Sequence, residues 1–390
     1  MFDITKIKNP DFIKDLSYKE KLILAEDLRQ FLIESVSHTG GHLSSNLGIV
    51  ELMIALYDVF DYKEDSFLFD VGHQSYIHKI FTGRAPQFTT LRKYKGLSGY
   101  INRKESPYDI WESGHSSTTI SAMAGLLLAN GKNSKKHVIS IIGDSSIMNG
   151  VSLEGLNYLG GLKDYHPIII FNDNKMGISK SVGALAKVFG RLRNKKWLIK
   201  IKKWLNAILP KSMVNNFHQV KRGIKGFIQR DNIFEDLGFD YYGPIDGHDL
   251  KAVTKTLDRV KDVEGPVIIH LLTKKGKVYK YAEEDDLGNF HGVAPFDIAT
   301  GKALAKPVLN QHSYSEIVTE SLCKLREKEN FYVITPAMKV GAKLEKFANL
   351  YPESFIDVGI AEEHANFSVG HGIATHSFFY SFNIELHKAI

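Results

Sequence analysis

Two stretches near the start of the chain have the apolar spacing of amphipathic helices. Ser17 and Glu20 form an S-x-x-E capping box, and leucines follow at positions 22, 24, 28 and 32. This helix is expected to end before the glycine-containing loop at 39–42. Apolar residues then recur three and four positions apart between Ile49 and Val59, which predicts a second helix.

Short runs that are apolar at almost every position predict the strands of a sheet. They cover residues 67–71, 137–142, 167–171 and 267–272, and helical patterns lie between some of them at 118–129 and 153–159. Strands that are apolar on both faces and alternate with helices are typical of a parallel sheet covered by helices on both faces. The sequence therefore predicts an α/β fold.

Polar and glycine-rich segments follow directly after these strands, at 70–74, 143–145, 172–174 and 273–276. In parallel α/β sheets, ligands bind beyond the carboxyl ends of the strands. These four segments are therefore the first candidates for a functional site.

A second α/β unit is expected after a linker at 301–311, where Pro307 stands among small and polar residues. Its pattern predicts a helix near 314–326, strands at 332–335 and 355–359, and a helix from about residue 361. Two strands and two helices do not complete a doubly wound domain. We therefore expect a first domain at 1–300, with an insertion at about 184–235, and the beginning of a second domain at 312–390.

Composition narrows the class of protein. The chain is 43% hydrophobic and 24% charged, which is ordinary for a globular protein. A single cysteine, Cys323, excludes a disulfide scaffold and a cysteine-ligated metal cluster, and we interpret it as a small buried apolar residue. No apolar run reaches the roughly 20 residues of a membrane span, and the first residues do not resemble a secretory signal. A cytoplasmic location is the default expectation.

The net charge of +6 comes from one segment. Residues 187–230 contain thirteen Lys and Arg and no Asp or Glu, so the remainder of the chain is net acidic. Aromatic and aliphatic residues alternate with lysines around Trp197 and Trp204, a basic amphipathic pattern that could contact an anionic membrane or a nucleic acid. The alternative, which we prefer, is a lid over the site with a solvated basic face.

Asp144 and Asn174 carry the most informative candidate chemistry. Each follows a predicted strand, and a carboxylate and an amide oxygen at neighbouring strand ends can hold one hard divalent cation such as Mg²⁺. Backbone N–H groups in the turn after Asp144 can face an anion such as a diphosphate. The alternative is that both segments are ordinary turns at strand ends.

The segments 142–144 and 172–176 together resemble the thiamine diphosphate motif. Further motifs stand along the chain: TGGHLSSNLG at 39–48, DVGHQSYIHKI at 70–80, GHSST at 114–118, YGPIDGHD at 242–249, TKKG at 273–276 and DVGIAEEHA at 357–365. This series, in order from about residue 15 to residue 374, resembles the 1-deoxy-D-xylulose-5-phosphate synthase family. Transketolases share the metal motif but not this whole series.

The resemblance implies roles for individual residues. The cation ligands would be Asp144, Asn174 and the main-chain carbonyl of Met176. Contacts to thiamine diphosphate would come from His73, Gly114, His115, Ser116, Ser145, Ser146, Asn174, Tyr279 and Glu362. The implied catalytic residues are His42, His73, His291 and Glu362.

Glu362 would lie against the aminopyrimidine ring, where a carboxylic acid favours the imino tautomer whose nitrogen acts as a base. The alternative is a glutamate that complements a helix dipole in the first turn. His248 follows Asp246 and Gly247, and we expect it to organise a turn. For His137, His166 and His364 we expect only packing or surface roles.

Two departures from the family pattern stand out. Ser145 occupies a position where the family has glycine, and a positive φ there would cost roughly 1–2 kcal/mol. Family members also continue for about two hundred residues more, and residues 375–390 no longer follow the family. We therefore expect a chain truncated at its C-terminus.

The implied function is that of a thiamine diphosphate- and Mg²⁺-dependent transferase. It would decarboxylate pyruvate and condense the two-carbon fragment with glyceraldehyde 3-phosphate, the first step of non-mevalonate isoprenoid synthesis. Family members are homodimers, and no nucleic acid or integral membrane contact is expected. Two alternatives stay open: a non-catalytic truncated homologue, and the N-terminal half of a split transketolase-like enzyme.

Overall fold

A five-stranded parallel sheet is the centre of the computed structural model, which describes residues 1–174, 232–285, 288–304 and 312–365. The strand order is β1-β2-β3-β5-β4, and every neighbouring pair is parallel. The strands are β1 (Ser66–Phe69), β2 (Val138–Gly143), β3 (Pro167–Asp173), β4 (Asp240–Asp246) and β5 (Val267–Leu272). This arrangement confirms the α/β fold predicted from the sequence.

The four predicted strands are present, whereas β4 was not predicted. Every residue of β3 is buried, and β2 and β5 are buried at all positions but the last. β4 lies at the edge of the sheet, none of its residues is fully buried, and it contains Gly243 and Pro244. It therefore lacks the continuous apolar run by which the inner strands were recognised.

Helices cover both faces of this sheet because alternate strand residues point to opposite sides. Ile139, Ile168 and Ile269 belong to one hydrophobic cluster, with residues of α1 (Tyr18–Thr39), α3 (Val50–Val59) and α8 (Leu250–Val260). The other cluster contains Ile169 and Phe171 with residues of α5 (Thr119–Asn130) and α6 (Gly150–Gly161).

The helix boundaries follow local signals. The Ser17–Glu20 capping box is formed in both directions. The helix α1 runs one residue past its expected end, to Thr39, and Gly40 with a φ of +73° terminates it. The remaining helices of this part are short: α2 (Leu43–Leu47), α4 (Tyr76–Lys79), α7 (Ile233–Asp236) and α9 (Lys280–Glu283).

The second unit contains a two-stranded parallel sheet of β6 (Val333–Thr335) and β7 (Phe355–Asp357). Its helices are α10 (Tyr314–Arg326), which begins with a Ser313–Glu316 capping box, and α11 (Glu345–Leu350). Residues 362–365 are helical, as expected from about residue 361. The division of the chain at 301–311 stays a prediction, because 305–311 lie outside the described residues.

Two further predictions concern other parts of the chain. The basic segment 187–230 lies outside the described residues, so its interpretation as a lid stays a prediction. Within the described ranges, no helix has the length and apolar character needed to cross a membrane.

Candidate functional site

A chain of side-chain hydrogen bonds joins three of the polar segments at the carboxyl edge of the sheet. Thr273 Oγ1 donates to Asn172 Oδ1 at 2.6 Å, and Asn172 Nδ2 donates to Gln74 Oε1 at 2.9 Å. Gln74 Nε2 then lies 3.4 Å from His73 Nε2. Since the Gln74 amide nitrogen can only donate, Nε2 of His73 is the acceptor in this contact. The amide ladder Gln74–Asn172–Thr273 therefore orients His73.

The proposed cation ligands Asp144 and Asn174 are both buried at the ends of neighbouring strands. Gly143, which precedes Asp144, pairs in register with Asn172, two residues before Asn174. Asp144 Oδ1 also accepts a hydrogen bond from the backbone N–H of Ser145 at 3.0 Å. The two oxygen-bearing side chains thus follow adjacent strands, as expected. Met176 lies outside the described residues, so its part in the site stays a prediction.

Ser145 adopts an ordinary backbone conformation. Its φ is −77° and its ψ is −39°, in the right-handed helical region, and it precedes a 3₁₀ turn at Ser146–Met148. The strain that a positive φ would impose on serine therefore does not arise. Ser146 is buried, and its carbonyl oxygen accepts hydrogen bonds from the hydroxyls of Ser117 at 2.9 Å and Ser152 at 2.8 Å.

A buried carboxylate at the end of β1 fixes the loop that contains Gly114, His115 and Ser116. Asp70 accepts hydrogen bonds from the Ser117 N–H at 2.9 Å and from the Thr119 hydroxyl at 3.1 Å. Burial raises the pKa of Asp70, and these hydrogen bonds act against that shift. Asp70 therefore anchors the 114–118 loop beside the strand ends.

Glu362 of the second unit reaches this loop within the same chain. Ser116 Oγ donates to the Glu362 carboxylate at 3.2 Å, and Asn149 Nδ2 donates to it at 3.3 Å. Asn149 Nδ2 also lies 3.4 Å from the carbonyl oxygen of Ile360. The structure thus brings Glu362 to Ser116 and to Asn149, which follows the 3₁₀ turn after β2, as a site built from both units requires.

His115 makes a second link between the two units. Its Nδ1 donates to the Ser116 carbonyl oxygen at 2.7 Å, and its Nε2 lies 3.3 Å from a carboxylate oxygen of Glu363. Ligand atoms of His115, Glu362 and Glu363 lie within 4.8 Å of one another. Glu363 is an exposed residue and makes a surface contact with His115 rather than a buried one.

Three predicted catalytic or binding histidines form a cluster. The ring centroids of His42 and His73 are 5.8 Å apart, those of His42 and His291 5.8 Å, and those of His73 and His291 5.2 Å. The hydroxyls of Tyr76 and Tyr100 lie 3.4 Å from Nδ1 and Nε2 of His42 respectively. Three segments that are remote in sequence thus place their imidazoles around one point.

The titration of His291 is set by its surroundings. Burial and the nearby Lys275 ammonium lower the pKa of His291 to about 4, with Asp285 acting in the opposite direction. His291 is therefore neutral near pH 7 and is a weaker base than an unperturbed imidazole.

The phenol of Tyr279, a predicted cofactor contact, makes a hydrogen bond within the protein. Its hydroxyl donates to the Ile298 carbonyl oxygen at 3.0 Å, and its ring lies 5.6 Å from that of Phe290. Burial raises the pKa of Tyr279 to about 12. A contact between Tyr279 and a cofactor stays a prediction.

Lys275 is the main residue that the sequence analysis did not assign. It lies in the TKKG segment after β5, and its ammonium interacts electrostatically with Asp144 and Asp285 while it lowers the pKa of His291. Burial lowers the pKa of Lys275, and the two carboxylates oppose this. The position of Lys275 directly after a predicted strand marked it as a possible site residue, but nothing in the sequence distinguished Lys275 from Lys274.

The fold and the position of this site define a class of protein. A crystal structure of transketolase from Pichia stipitis in complex with sedoheptulose 7-phosphate matches 85% of this chain and 47% of that chain, with a TM-score of 0.50 at 16% sequence identity. A Pichia stipitis transketolase mutant structure in complex with xylulose 5-phosphate gives the same coverage and TM-score at 15% identity. These similarities show a transketolase-like fold.

The sequence comparison identifies the family within this class. Residues 4–273 match the family model for 1-deoxy-D-xylulose-5-phosphate synthase, and the chain belongs to this family. Curated relatives named 1-deoxy-D-xylulose-5-phosphate synthase from Bacillus cereus strain B4264 and from Bacillus anthracis are each 48% identical over 381 residues. The match covers 96% of this chain and 60% of each relative. The resemblance seen in the motifs is thereby confirmed.

Proposed function

We propose that this chain binds thiamine diphosphate with Mg²⁺ and belongs to a transferase that forms 1-deoxy-D-xylulose 5-phosphate. The substrates would be pyruvate and glyceraldehyde 3-phosphate, as the family resemblance implies. The observation that supports this most is the meeting of two units at one site. Buried Asp144 and Asn174 follow adjacent strands of the first unit, and Glu362 of the second reaches Ser116.

The residues present fit the proposed cofactor and cation. Asp144 and Asn174 offer the oxygen ligands that Mg²⁺ prefers, and Mg²⁺ commonly completes its coordination with phosphate oxygens. The Lys275 ammonium can balance the charge of a diphosphate, to which the N–H groups of the Ser146–Met148 turn can also donate. When bound, thiamine diphosphate supplies the electron sink that decarboxylation of a 2-oxo acid requires.

The protein's own groups would bind, orient and transfer protons. Glu362 would hold a proton at a ring nitrogen of the cofactor, with Ser116 and Asn149 orienting its carboxylate. The cluster of His42, His73 and His291 would face the substrates, where the neutral imidazole of His291 can form hydrogen bonds to them. His115 and Glu363 would hold the two units together beside Glu362.

Three accompanying expectations belong to this proposal. We expect a homodimer, a cytoplasmic location, and no binding to nucleic acid. Light scattering of the purified chain tests the first of these. Retention on RNA or on anionic liposomes tests whether the basic segment 187–230 has another role.

The cofactor proposal is tested by calorimetric titration of the chain with thiamine diphosphate, with and without Mg²⁺. We expect binding that requires Mg²⁺ and is abolished in Asp144→Ala. Asp164→Ala is the matched control, because Asp164 forms only an exposed ion pair with Lys132. Persistent Mg²⁺-dependent binding in Asp144→Ala would contradict the assignment of the cation ligand.

Release of CO₂ from pyruvate by the loaded chain tests the transferase proposal. Turnover supports an active enzyme. Cofactor binding without turnover supports the non-catalytic homologue or the half of a split enzyme, and these two are separated by adding a polypeptide that carries the remaining part of a relative.

A further inference from the structure

We propose that His248 is a positioning residue for the candidate site: from a buried ion pair it holds the main chain of the segment that presents Lys275. The inference rests on the proposed function of that site. His248 lies in the turn between β4 and α8, outside the segments to which the sequence assigned site residues. No role beyond a turn was expected for it.

The backbone of His248 is itself fixed. Its N–H donates to Asp246 Oδ1 at 3.0 Å, and the next residue, Asp249, caps α8 by accepting from the Ala252 N–H at 3.0 Å. The His248 ring thus extends from a short turn that is fixed at one end to β4 and at the other to α8. One side chain can therefore hold Glu51 of α3 and the 273–276 segment at a set distance from each other.

One side of the ring rests on a buried ion pair. Arg29 of α1 donates to Glu51 of α3 at 2.6 Å, and His248 Nδ1 lies 3.1 Å from the same carboxylate oxygen. Burial raises the pKa of Glu51, but the hydrogen bonds from His248 and Arg29 outweigh burial and lower it to about 2. The carboxylate is therefore ionised at neutral pH and forms a fixed acceptor for the Nδ1 proton.

The other side of the ring holds the TKKG segment. The backbone N–H of Lys274 donates to His248 Nε2 at 2.8 Å. Since a backbone N–H can only donate, Nε2 carries no proton in this arrangement and the ring proton is on Nδ1, facing Glu51. The two hydrogen bonds therefore require each other: Glu51 selects the tautomer that accepts from Lys274.

Lys275 is held from both sides by this arrangement. The preceding N–H is bound by His248, and the following N–H, of Gly276, donates to the Ser44 carbonyl oxygen at 2.9 Å. Gly276 has a φ of +68°, and a Cβ there would lie 2.3 Å from the backbone of Ala282, so the turn requires glycine. Main-chain hydrogen bonds on both flanks thus direct the Lys275 side chain toward Asp144 and His291.

The chain offers a matched control in His137. Its Nδ1 lies 2.9 Å from the Asp65 carboxylate and its Nε2 lies 3.1 Å from the Lys261 carbonyl oxygen. The side chain is 16% exposed, against 13% for His248. His137 precedes β2 and so lies at the amino end of the sheet, opposite the candidate site. Its loss should disturb the fold as the loss of His248 does, without moving Lys275.

The test is a double-mutant cycle on the affinity of the full chain for thiamine diphosphate with Mg²⁺. We expect His248→Ala to weaken binding about tenfold, the size of a lost hydrogen bond to a polar network. We expect His248→Gln to weaken it by less, because its amide oxygen can still accept from the Lys274 N–H. His137→Ala should leave the affinity unchanged while lowering Tm. If His248→Ala does not fold, His248→Gln takes its place in the cycle.

The cycle distinguishes positioning from general destabilisation. If His248 acts through Lys275, then His248→Ala adds nothing to the loss of affinity already caused by Lys275→Met. Additive losses, or a loss equal to that of His137→Ala, would overturn the proposal.

A second readout does not depend on cofactor binding. In histidine-labelled protein, NMR titration of His291 should give a pKa near 4, raised by Lys275→Met and likewise by His248→Ala, but not by His137→Ala. If the chain binds no cofactor but His291 responds in this way, the proposed function fails and the positioning role stands. If His291 does not respond to His248→Ala, the positioning role fails.

Discussion

The five-stranded sheet and the two-stranded sheet of this chain are both parallel, but they are built very differently. The inner strands β2, β3 and β5 are almost fully buried between two helical layers, whereas no residue of β7 is fully buried. The second unit also exposes large apolar side chains, with Tyr314 86% and Val340 55% exposed. Parallel strands normally require cover on both faces. Within residues 1–174, 232–285, 288–304 and 312–365, helices pack on both faces of the larger sheet, whereas β7 stays partly exposed.

The ionic contacts differ in the same way. In the first unit, Arg84 and His78 bind the buried Asp109 at 2.7 and 2.9 Å. In the second, Lys346 and Glu320 are both at least half exposed and lie 4.0 Å apart. The candidate site is therefore held mainly by the packed first unit, whereas Glu362 of the second unit reaches it through a few long hydrogen bonds.

The largest expected difference between the two sheets is in the free energy of unfolding lost when one strand residue in each is truncated. Ile169→Ala in β3 removes a fully buried side chain and is expected to lower the free energy of unfolding by about 2–5 kcal/mol. Ile334→Ala in β6, which is only half-buried, should cost about 1 kcal/mol or less. Urea unfolding of both variants measures the difference, and equal losses would show that the two sheets are equally packed.

The buried and exposed glutamates should differ in their dependence on pH. The pKa of Glu51 is about 2 in the folded protein against 4.5 for an unperturbed glutamate, so its stabilisation is complete above pH 4.5 and is lost as the pH falls toward 2. At pH 7 this amounts to about 3 kcal/mol, more than half of which is gone by about pH 3.

Unfolding of Glu51→Gln between pH 7 and pH 3 tests this expectation. The variant should be less stable than the parent at pH 7, with the difference shrinking toward pH 3. Glu320→Gln is the control, since its exposed ion pair should contribute less than about 1 kcal/mol at any pH. A difference for Glu51→Gln that does not change with pH would contradict the assigned ion pair.

Weakening the contact between the two units should have a smaller and local effect. Asn149→Ala removes the hydrogen bonds to Glu362 and Ile360 and also the N-cap of α6, where Asn149 Oδ1 accepts from the Val151 N–H, so the total cost should be about 1–2 kcal/mol. We expect amide hydrogen exchange in residues 355–365 to rise about fivefold, with no change in β2 or β3. Asn130→Ala, at the exposed end of α5, should change neither region.

Two glycine substitutions should have small effects of opposite sign. Ser145 has a φ of −77°, which serine adopts without strain. Ser145→Gly increases the backbone entropy lost on folding, so it should destabilise the chain by about 0.5–1 kcal/mol without tightening cofactor binding. Ala337→Gly in the second unit relieves a φ of +61° and should stabilise by a similar amount. Thermal unfolding checks both signs, and a gain from Ser145→Gly would indicate strain at that position.

The sequence predicted an element best where a single physical requirement, such as burial or helix capping, decided its residues. Buried strands such as Val267–Leu272 must be apolar throughout, and the capping box at Ser17 is complete within four residues, so both were predicted. The Ser313–Glu316 capping box of α10 carries the same signal, which the sequence analysis did not use. β4 was missed because an edge strand has no such requirement. The family motifs implied that Ser116 and Glu362 both contact the cofactor, and the structure shows a direct hydrogen bond between these residues, which are 246 positions apart.

The supporting residues of the site could not be predicted in the same way. Gln74, Asn172 and Thr273 look like ordinary polar residues at strand ends, and only the parallel register brings their side chains into one ladder. His248 and Lys275 act through main-chain hydrogen bonds, which leave no pattern in the sequence. Residue types can suggest the ligands of a site, but they do not reveal what holds those ligands in place.

The amide ladder Gln74–Asn172–Thr273 can form only after Thr273 has been synthesised, so the candidate site is incomplete on the ribosome until then. Gln74 and Thr273 are about two hundred residues apart, so a ribosome adding 5–20 residues per second needs roughly 10–40 s to make the second after the first. For that interval the nascent chain carries His73 without the strand that completes its support. A chaperone that shields the growing first unit over this period would protect the part of the protein on which the whole site depends.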